Sequence, residues 1–328
     1  MPILFSDESP DDSYENQGFK DRNTNSNFID DISSLLDSSP SYNSDISYDS
    51  KKNKQKYRYR SRNAGSSSTR RGLKQVQIPK IIMQTWKNQD IPNKWKPSTK
   101  SIKRYMPEWK HIIMTDEDNR KFIKKHFPDF LHYYDKFPYN IQRADAIRAC
   151  WLYVYGGIYM DLDIEILKPL DSLFYQKHGI YLVNSGNFSS YTTNSFMASQ
   201  PRNPIWLEYI EQMKKSPNKW VMGKHFTVMT TTGPMALTNV LKNTHNLYTL
   251  LPSKLLMPCS VCDDRCDVND SYLRPLEGQS WNAWDSKFFN FFLCHWKKVI
   301  ILVIVLIILI IIILMIVYIA QADNTHYK

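Results

Sequence analysis

Glycine is scarce, with ten residues in a chain of 328. That excludes collagen-like and glycine-linker architectures, and it makes the adjacent pair Gly156-Gly157 informative. Met1 to Ser50 holds two basic residues against eleven acidic ones, whereas Lys51 to Lys74 holds ten basic residues and no acidic one. The two blocks nearly cancel, so +9 of the formal charge of +10 belongs to the remainder of the chain. A charge divided in this way is not a nucleic-acid signature, and nucleic acid is not an expected partner. The opening MPILFSDESPDD lacks a basic segment ahead of its few apolar residues, so no signal peptide is expected there. Val299 to Ala320 carries no charge at all over 22 residues, which excludes a simple soluble protein.

Residues 1–75 are rich in Ser, Asn and Asp, then in Lys, Arg and Ser, without a sustained apolar period. Such a segment buries too little surface to offset chain entropy and is expected to be a disordered arm. At the other end, 22 apolar residues at about 1.5 Å each are long enough to cross a hydrocarbon core as one helix. Only residues 321–328 follow this span, so a C-terminal anchor with a short tail is expected. Lys287, Lys297 and Lys298 precede the span and Lys328 alone follows it, which by the positive-inside rule places the body on the cytoplasmic side.

The middle, residues 76–296, alternates strand-like and helix-like patterns. The runs Ile78 to Trp86 and Trp109 to Asp116 read as strands, and Ser98 to Met106 and Asp116 to His126 as helices. Asp129 to Phe137 and Asn140 to Tyr155 follow as helices, then Gly157 to Leu167 as a strand. Later helices are expected at Pro204 to Lys215 and Pro234 to Lys242, the second with Pro at its first position after Gly233. This order predicts an α/β domain with a largely parallel sheet covered by helices on both faces.

The chemistry concentrates between Asn140 and Glu165. On a helix, Asp145 and Arg148 lie three apart on one line, and Gly156-Gly157 ends that helix through a left-handed turn. The next strand runs into Asp161-Leu162-Asp163. In an open α/β sheet, ligands bind beyond the carboxyl ends of strands. Two carboxylates two residues apart at such an end suit one divalent cation, which in turn suits a diphosphate. A second acidic run, Asp116-Glu117-Asp118, is expected only to favour a helix N-terminus.

Three segments, Ile78-Pro79-Lys80-Ile81-Ile82-Met83-Gln84-Thr85-Trp86, Arg143-Ala144-Asp145 with Arg148, and Tyr155-Gly156-Gly157-Ile158-Tyr159-Met160-Asp161-Leu162-Asp163, together resemble glycosyltransferase family 32. Asn194 to Ala198, Thr232-Gly233-Pro234 and Gly278-Gln279-Ser280-Trp281 resemble its later motifs in the same order. The resemblance covers about Ile78 to Trp281. It implies a GT-A type nucleotide-sugar-binding domain with a Rossmann-like mixed sheet. The implied activity is a metal-dependent transferase that retains anomeric configuration, with a UDP- or GDP-hexose as donor and a glycan or protein hydroxyl as acceptor. Asp145 and Arg148 would contact the donor, and Asp161 and Asp163 would serve the ribose, sugar and metal, with Mn²⁺ or Mg²⁺ as the ion. The matching positions also bring Gln84, Thr85, Trp86, Gly157, Tyr159, Ser280 and Trp281 into the donor-binding set. In such retaining enzymes the leaving diphosphate oxygen takes the acceptor proton. The chain departs from the family at Met83, where His is common, and before Ser280-Trp281, where a metal-binding His is usual. Glu277 is the substitute carboxylate for the metal there, and His295 a distant second. A non-catalytic membrane-tethered scaffold with a degenerate transferase fold is the alternative.

The five cysteines include CSVCDDRC, whose Cys259, Cys262 and Cys266 with Cys294-His295 fit a zinc site, unligated thiols or a local disulfide. The aromatic stretch Trp281 to Trp296 reads as packing and an interfacial belt beside the membrane rather than a sugar platform. His111, His126 and His132 read as structural residues.

Overall fold

The computed structural model describes residues 78–174, 179–185, 191–215, 222–242, 244, 248–263, 266–278 and 281–326. The arm at 1–75 and Ser280 lie outside the described residues. The first strand, β1, is Ile81–Thr85. It is buried on both faces, as a continuous apolar run should be in the middle of a sheet. Helix α1, Lys96–Tyr105, has Pro97 in its first turn, where the missing N–H costs nothing. Strand β2, Lys110–Met114, pairs parallel to β1. Helix α2, Asp116–His126, starts on a capping box in which Thr115 and Asp118 exchange side-chain to backbone bonds of 3.0 and 3.2 Å. The acidic run Asp116-Glu117-Asp118 therefore serves a helix start, as its composition suggests.

Helices α3, Pro128–Lys136, and α4, Asn140–Val154, lead to the turn at Gly156 and Gly157. Both glycines have positive φ, +67° and +88°. A Cβ on Gly156 would lie 2.6 Å from Ser199 O, and one on Gly157 would lie 2.5 Å from Ile81 O. The second approach lets β3, Gly157–Met160, pair parallel to β1.

The long strand expected from Gly157 to Leu167 is broken into two. After Met160 the chain turns at Asp161, whose carbonyl accepts from Ile164 N at 3.2 Å, and β4, Ile164–Ile166, leaves the main sheet. Strands β5, Ile180–Asn184, and β6, Thr192–Ser199, then join the main sheet. Helices α5, Pro204–Lys214, α6, Lys224–Thr231, and α7, Pro234–Leu241, follow, with Pro at the starts of α5 and α7. Strand β7 is Thr249–Leu251, the short helix α8 is Ser253–Leu256, and β8 is Leu273–Pro275. The main sheet runs β2-β1-β3-β6-β5-β7, and β4 pairs antiparallel with β8 in a small second sheet. The sheet is mixed: β6 is antiparallel to both β3 and β5, while β1 pairs parallel with β2 and β3, and β5 with β7.

Helix α9, Trp284–His326, departs from helical geometry at His295, with φ −114° and ψ 15°. It is the one described helix long and apolar enough to cross a membrane. The zinc alternative is overturned, because Cys259 pairs with Cys266 and Cys262 with Cys294 as disulfides. Cys150 remains a buried free thiol.

Candidate active site

Arg148 on α4 is buried, and its position is over-determined. Its Nη2 lies 3.3 Å from Asp145 Oδ1 and 3.3 Å from Asp161 Oδ1, its Nη1 donates to Asn194 O at 2.9 Å, and its Nε donates to Ala144 O at 3.2 Å. The guanidinium also stands 4.8 Å from the ring centroid of Tyr159. The Tyr159 hydroxyl donates to Asp161 Oδ1 at 2.7 Å. One oxygen of Asp161 is thus held by two groups from neighbouring elements.

The backbone of Asp161 is braced from beneath. Gln84 on β1 is fully buried, and its Nε2 donates to Asp161 O at 3.2 Å and to Ser98 Oγ at 2.9 Å. Its Oε1 then accepts from His111 Nε2 at 2.9 Å. This interlock requires one tautomer of His111, with the proton on Nε2. Burial pushes the His111 pKa down to about 4, with Lys103 adding to the shift.

Asp145 is itself fully engaged. Asn194 Nδ2 donates to its Oδ1 at 2.9 Å and Thr232 Oγ1 to its Oδ2 at 3.0 Å. The three carboxylates Asp145, Asp161 and Asp163 outnumber the single buried arginine. Burial raises the pKa of all three, to about 7 for Asp145 and Asp163, with Arg148 pulling each back and Asp161 pushing Asp163 further up. A surplus of desolvated negative charge at a turn is relieved by a bound cation.

These residues open onto a cleft of about 450 Å³. Of the residues anticipated from sequence, Asp145, Arg148, Tyr159, Asp161 and Asp163 line it, with Thr85, Trp86 and Trp281 at its walls. Gln84 sits behind the cleft as a brace, and Gly157 packs against Ile81, so neither is placed to touch a donor. Glu277, expected as a third metal ligand, does not join the aspartates: its carboxylate is 82% exposed and stands 3.9 Å from Lys94 Nζ. Its backbone carbonyl instead accepts from Trp95 Nε1 at 2.6 Å, and Gly278 abuts Asp163 so closely that a Cβ would lie 2.1 Å from Oδ2. Among the described residues no three His, Cys, Asp or Glu side chains converge on one point.

Sequence reasoning assigned no role to Asn194 or Thr232, although both stand in motifs it had noted. Trp95 and His225 left no signal of their own. Trp95 meets Trp86 edge-on at 4.7 Å between ring centroids, and His225 stacks on Trp281 at 5.5 Å and 15°.

Residues 92–180 match the family model described as a glycosyltransferase sugar-binding region containing a DXD motif. Over this segment the chain is similar to the DXD glycosyltransferases. Its carboxylate pair is Asp161 and Asp163. The chain is 35% identical over 217 residues to inositol phosphoceramide mannosyltransferase 2 of Schizosaccharomyces pombe, an alignment covering 64% of this chain and 59% of that one. It is 33% identical to a mannosyl phosphorylinositol ceramide synthase of Saccharomyces cerevisiae, covering 64% and 54%. The chain therefore spans between half and three fifths of the length of these two curated relatives. Among solved structures, a PaToxG glycosyltransferase is similar, with a TM-score of 0.42 and 22% identity, over 51% of this chain and 70% of that one.

Proposed function

We propose that the chain is a membrane-anchored retaining glycosyltransferase that moves a hexose from a nucleotide diphosphate sugar to a hydroxyl acceptor. The observation that carries this reading is the Asp161-Leu162-Asp163 turn. It sits at the carboxyl end of β3 and faces the cleft, with one aspartate fixed by Arg148, Tyr159 and Gln84.

Asp161 and Asp163 offer hard oxygen donors in a site with surplus negative charge, which fits Mn²⁺ or Mg²⁺. Asp161 and Asp163 would hold the ion, which would bind the diphosphate of the donor. The bound ion would neutralise charge that develops on the leaving diphosphate. Arg148, with every nitrogen engaged by protein acceptors, acts by positioning Asp161 and by keeping a positive edge at the cleft. Asp145 balances that charge from behind and is tied to β6 and to the end of α6 through Asn194 and Thr232. Trp86 and Trp95 give one end of the cleft an aromatic wall suited to a nucleoside base, and Trp281 gives another wall suited to the apolar face of a sugar. In the transfer, the bond from anomeric carbon to diphosphate oxygen breaks and the bond to the acceptor oxygen forms on the same face. The acceptor proton passes to the departing oxygen.

The names of the two yeast relatives couple mannosyl transfer to inositol-phosphate ceramide lipids, and a helix that can cross a membrane ends this chain. These support mannose as the hexose and a lipid-borne polyol as the acceptor, in place of the glycan or protein hydroxyl expected from sequence. The two disulfides support an oxidising compartment for the body, the opposite face to the one indicated by the three lysines before the span.

A donor panel with Mn²⁺ tests the reading on the full chain in nanodiscs. GDP-mannose is expected to raise the Tm of the body more than the UDP-hexoses do, because a ligand that binds only the folded state stabilises it. A Tm unmoved by every nucleotide sugar would favour the scaffold alternative.

A further inference from the structure

The first part of α9 has two faces that do different things. Towards the body, Asp285 Oδ2 accepts from His225 N at 2.7 Å, Ser286 Oγ lies 3.0 Å from His225 Nδ1, and the Phe289 ring stands 4.9 Å from Phe226. Phe289, Asn290 and Leu293 go on to form one wall of the cleft. The opposite face presents Trp284, Phe288, Phe291 and Phe292, which are 79%, 60%, 56% and 38% exposed. Their spacing of four, seven and eight residues makes a continuous apolar stripe rather than scattered side chains. Four aromatic rings of that size in water would be a costly exposed patch.

Three observations identify what covers the stripe. The same helix continues into the apolar run at Val299, so the stripe is continuous with the segment long enough to cross a bilayer. The helix axis is interrupted at His295, which frees the first turns from the direction of the span. Cys262–Cys294 fastens the last turn before that break to the body, so the segment moves with the cleft and not only with the anchor. Aromatic rings with lysines beside them, here Lys287, Lys297 and Lys298, are the composition that rests at the headgroup level.

We propose that residues 284–294 lie in the membrane–water interface with the aromatic stripe immersed, so that one helix is membrane-contacting on its outer face and cleft wall on its inner face. The cleft then stands within about one helix diameter, roughly 10 Å, of the headgroup plane. A polyol headgroup reaches it without leaving the bilayer. This consequence for the acceptor rests on the transferase reading above, whereas the placement of the helix does not.

The test uses the full chain in phosphatidylcholine nanodiscs with bromine at acyl positions near the headgroup, and reads tryptophan quenching in wild type, Trp284→Phe and Trp296→Phe. Trp296 adjoins the span and is quenched however the preceding turns lie. If those turns continued the span outward, Trp284 would stand about 18 Å further from the bilayer, out of reach of the bromines. The proposal expects both variants to lose part of the quenching. Loss in Trp296→Phe alone overturns it, as does protection of Trp284 by a second copy of the chain, seen as cross-linked dimers with unquenched Trp284. A functional arm follows: Phe288→Ser/Phe291→Ser is expected to lower kcat/KM for a lipid-embedded acceptor about tenfold and to leave hydrolysis of the donor unchanged. Equal loss in both reactions would count against the placement. Absence of all activity in wild type, with Trp284 quenched, would refute the transferase reading and leave the placement standing.

Discussion

Replacing Arg148 with Met keeps the volume and apolar stem of the side chain while removing its charge. The guanidinium is buried, and it balances Asp145 and Asp161, each at 3.3 Å, while also donating to two backbone carbonyls. A pair of this kind on the surface would contribute under about 1 kcal/mol. Breaking a buried pair by removing one partner costs about 3 to 5 kcal/mol, because the remaining charge stays desolvated. For a body of this size, with a urea dependence of about 3 kcal/mol/M, the midpoint should fall by roughly 1 to 1.7 M. The assay is urea unfolding of the full chain in detergent, followed by tryptophan fluorescence. A second variant separates charge from packing: Arg148→Met/Asp145→Asn removes one stranded carboxylate. Asn at 145 can still accept from Asn194 and pair with Thr232, so the double variant should recover about half of the loss. A fall below about 1 kcal/mol in the single variant, or no recovery in the double, would refute the view that Arg148 is the electrostatic centre of the site.

Further predictions concern the supports of the cleft. His111 has a folded pKa of about 4 against an ordinary 6.5, so the folded state favours its neutral form and stability is full above pH 6.5. About 3 kcal/mol should then be lost as pH falls from 6.5 through 4, and His111→Gln, which retains a donor to Gln84, should flatten that part of the pH–stability curve. Gly156→Ala should destabilise by about 2 kcal/mol or more, since a positive φ and a 2.6 Å approach to Ser199 O both oppose a Cβ; differential scanning calorimetry checks this. Closing 32 residues, the Cys262–Cys294 bridge should contribute about 3 to 4 kcal/mol, so dithiothreitol should lower the Tm of the wild type more than that of a Cys262→Ser/Cys294→Ser variant, which keeps only Cys259–Cys266. Maleimide labelling of these cysteines only after reduction would support an oxidising compartment, and ready labelling without reductant would contradict it.

Much of the architecture is legible from local signals. Helix α2 begins at Asp116 as its acidic run predicts, and Gly156-Gly157 turns α4 into β3 because only glycine tolerates the two backbone contacts there. Asp145, Arg148, Asp161 and Asp163 come together because a helix line and a strand end are both readable as periodicities. What stayed hidden depends on pairing across long separations. The split of Gly157 to Leu167 follows from β4 finding β8, more than a hundred residues away, and no local pattern announces that partner. Gln84 reads as a donor contact but acts as a brace, since its role is set by His111 and Ser98 on other elements. Glu277 has the right chemistry near the right motif, yet the chain offers Asp163 the backbone at Gly278 and turns the carboxylate to Lys94. The cysteines fit a metal knuckle by spacing, and only the return of α9 alongside the 257–263 loop shows that Cys294 belongs with Cys262.

The most direct measurement is transfer of labelled mannose from GDP-mannose to an inositol-phosphate lipid in nanodiscs with Mn²⁺, comparing wild type with Asp163→Asn. The close ion pairs of Arg148 are with Asp145 and Asp161 rather than with Asp163, whose charged form is disfavoured first by burial, so the variant should fold with an unchanged urea midpoint or a raised one. The account predicts a loss of kcat of at least about a hundredfold, the scale expected when a group that stabilises the transition-state charge is removed. Transfer at the wild-type rate by the folded variant would contradict it.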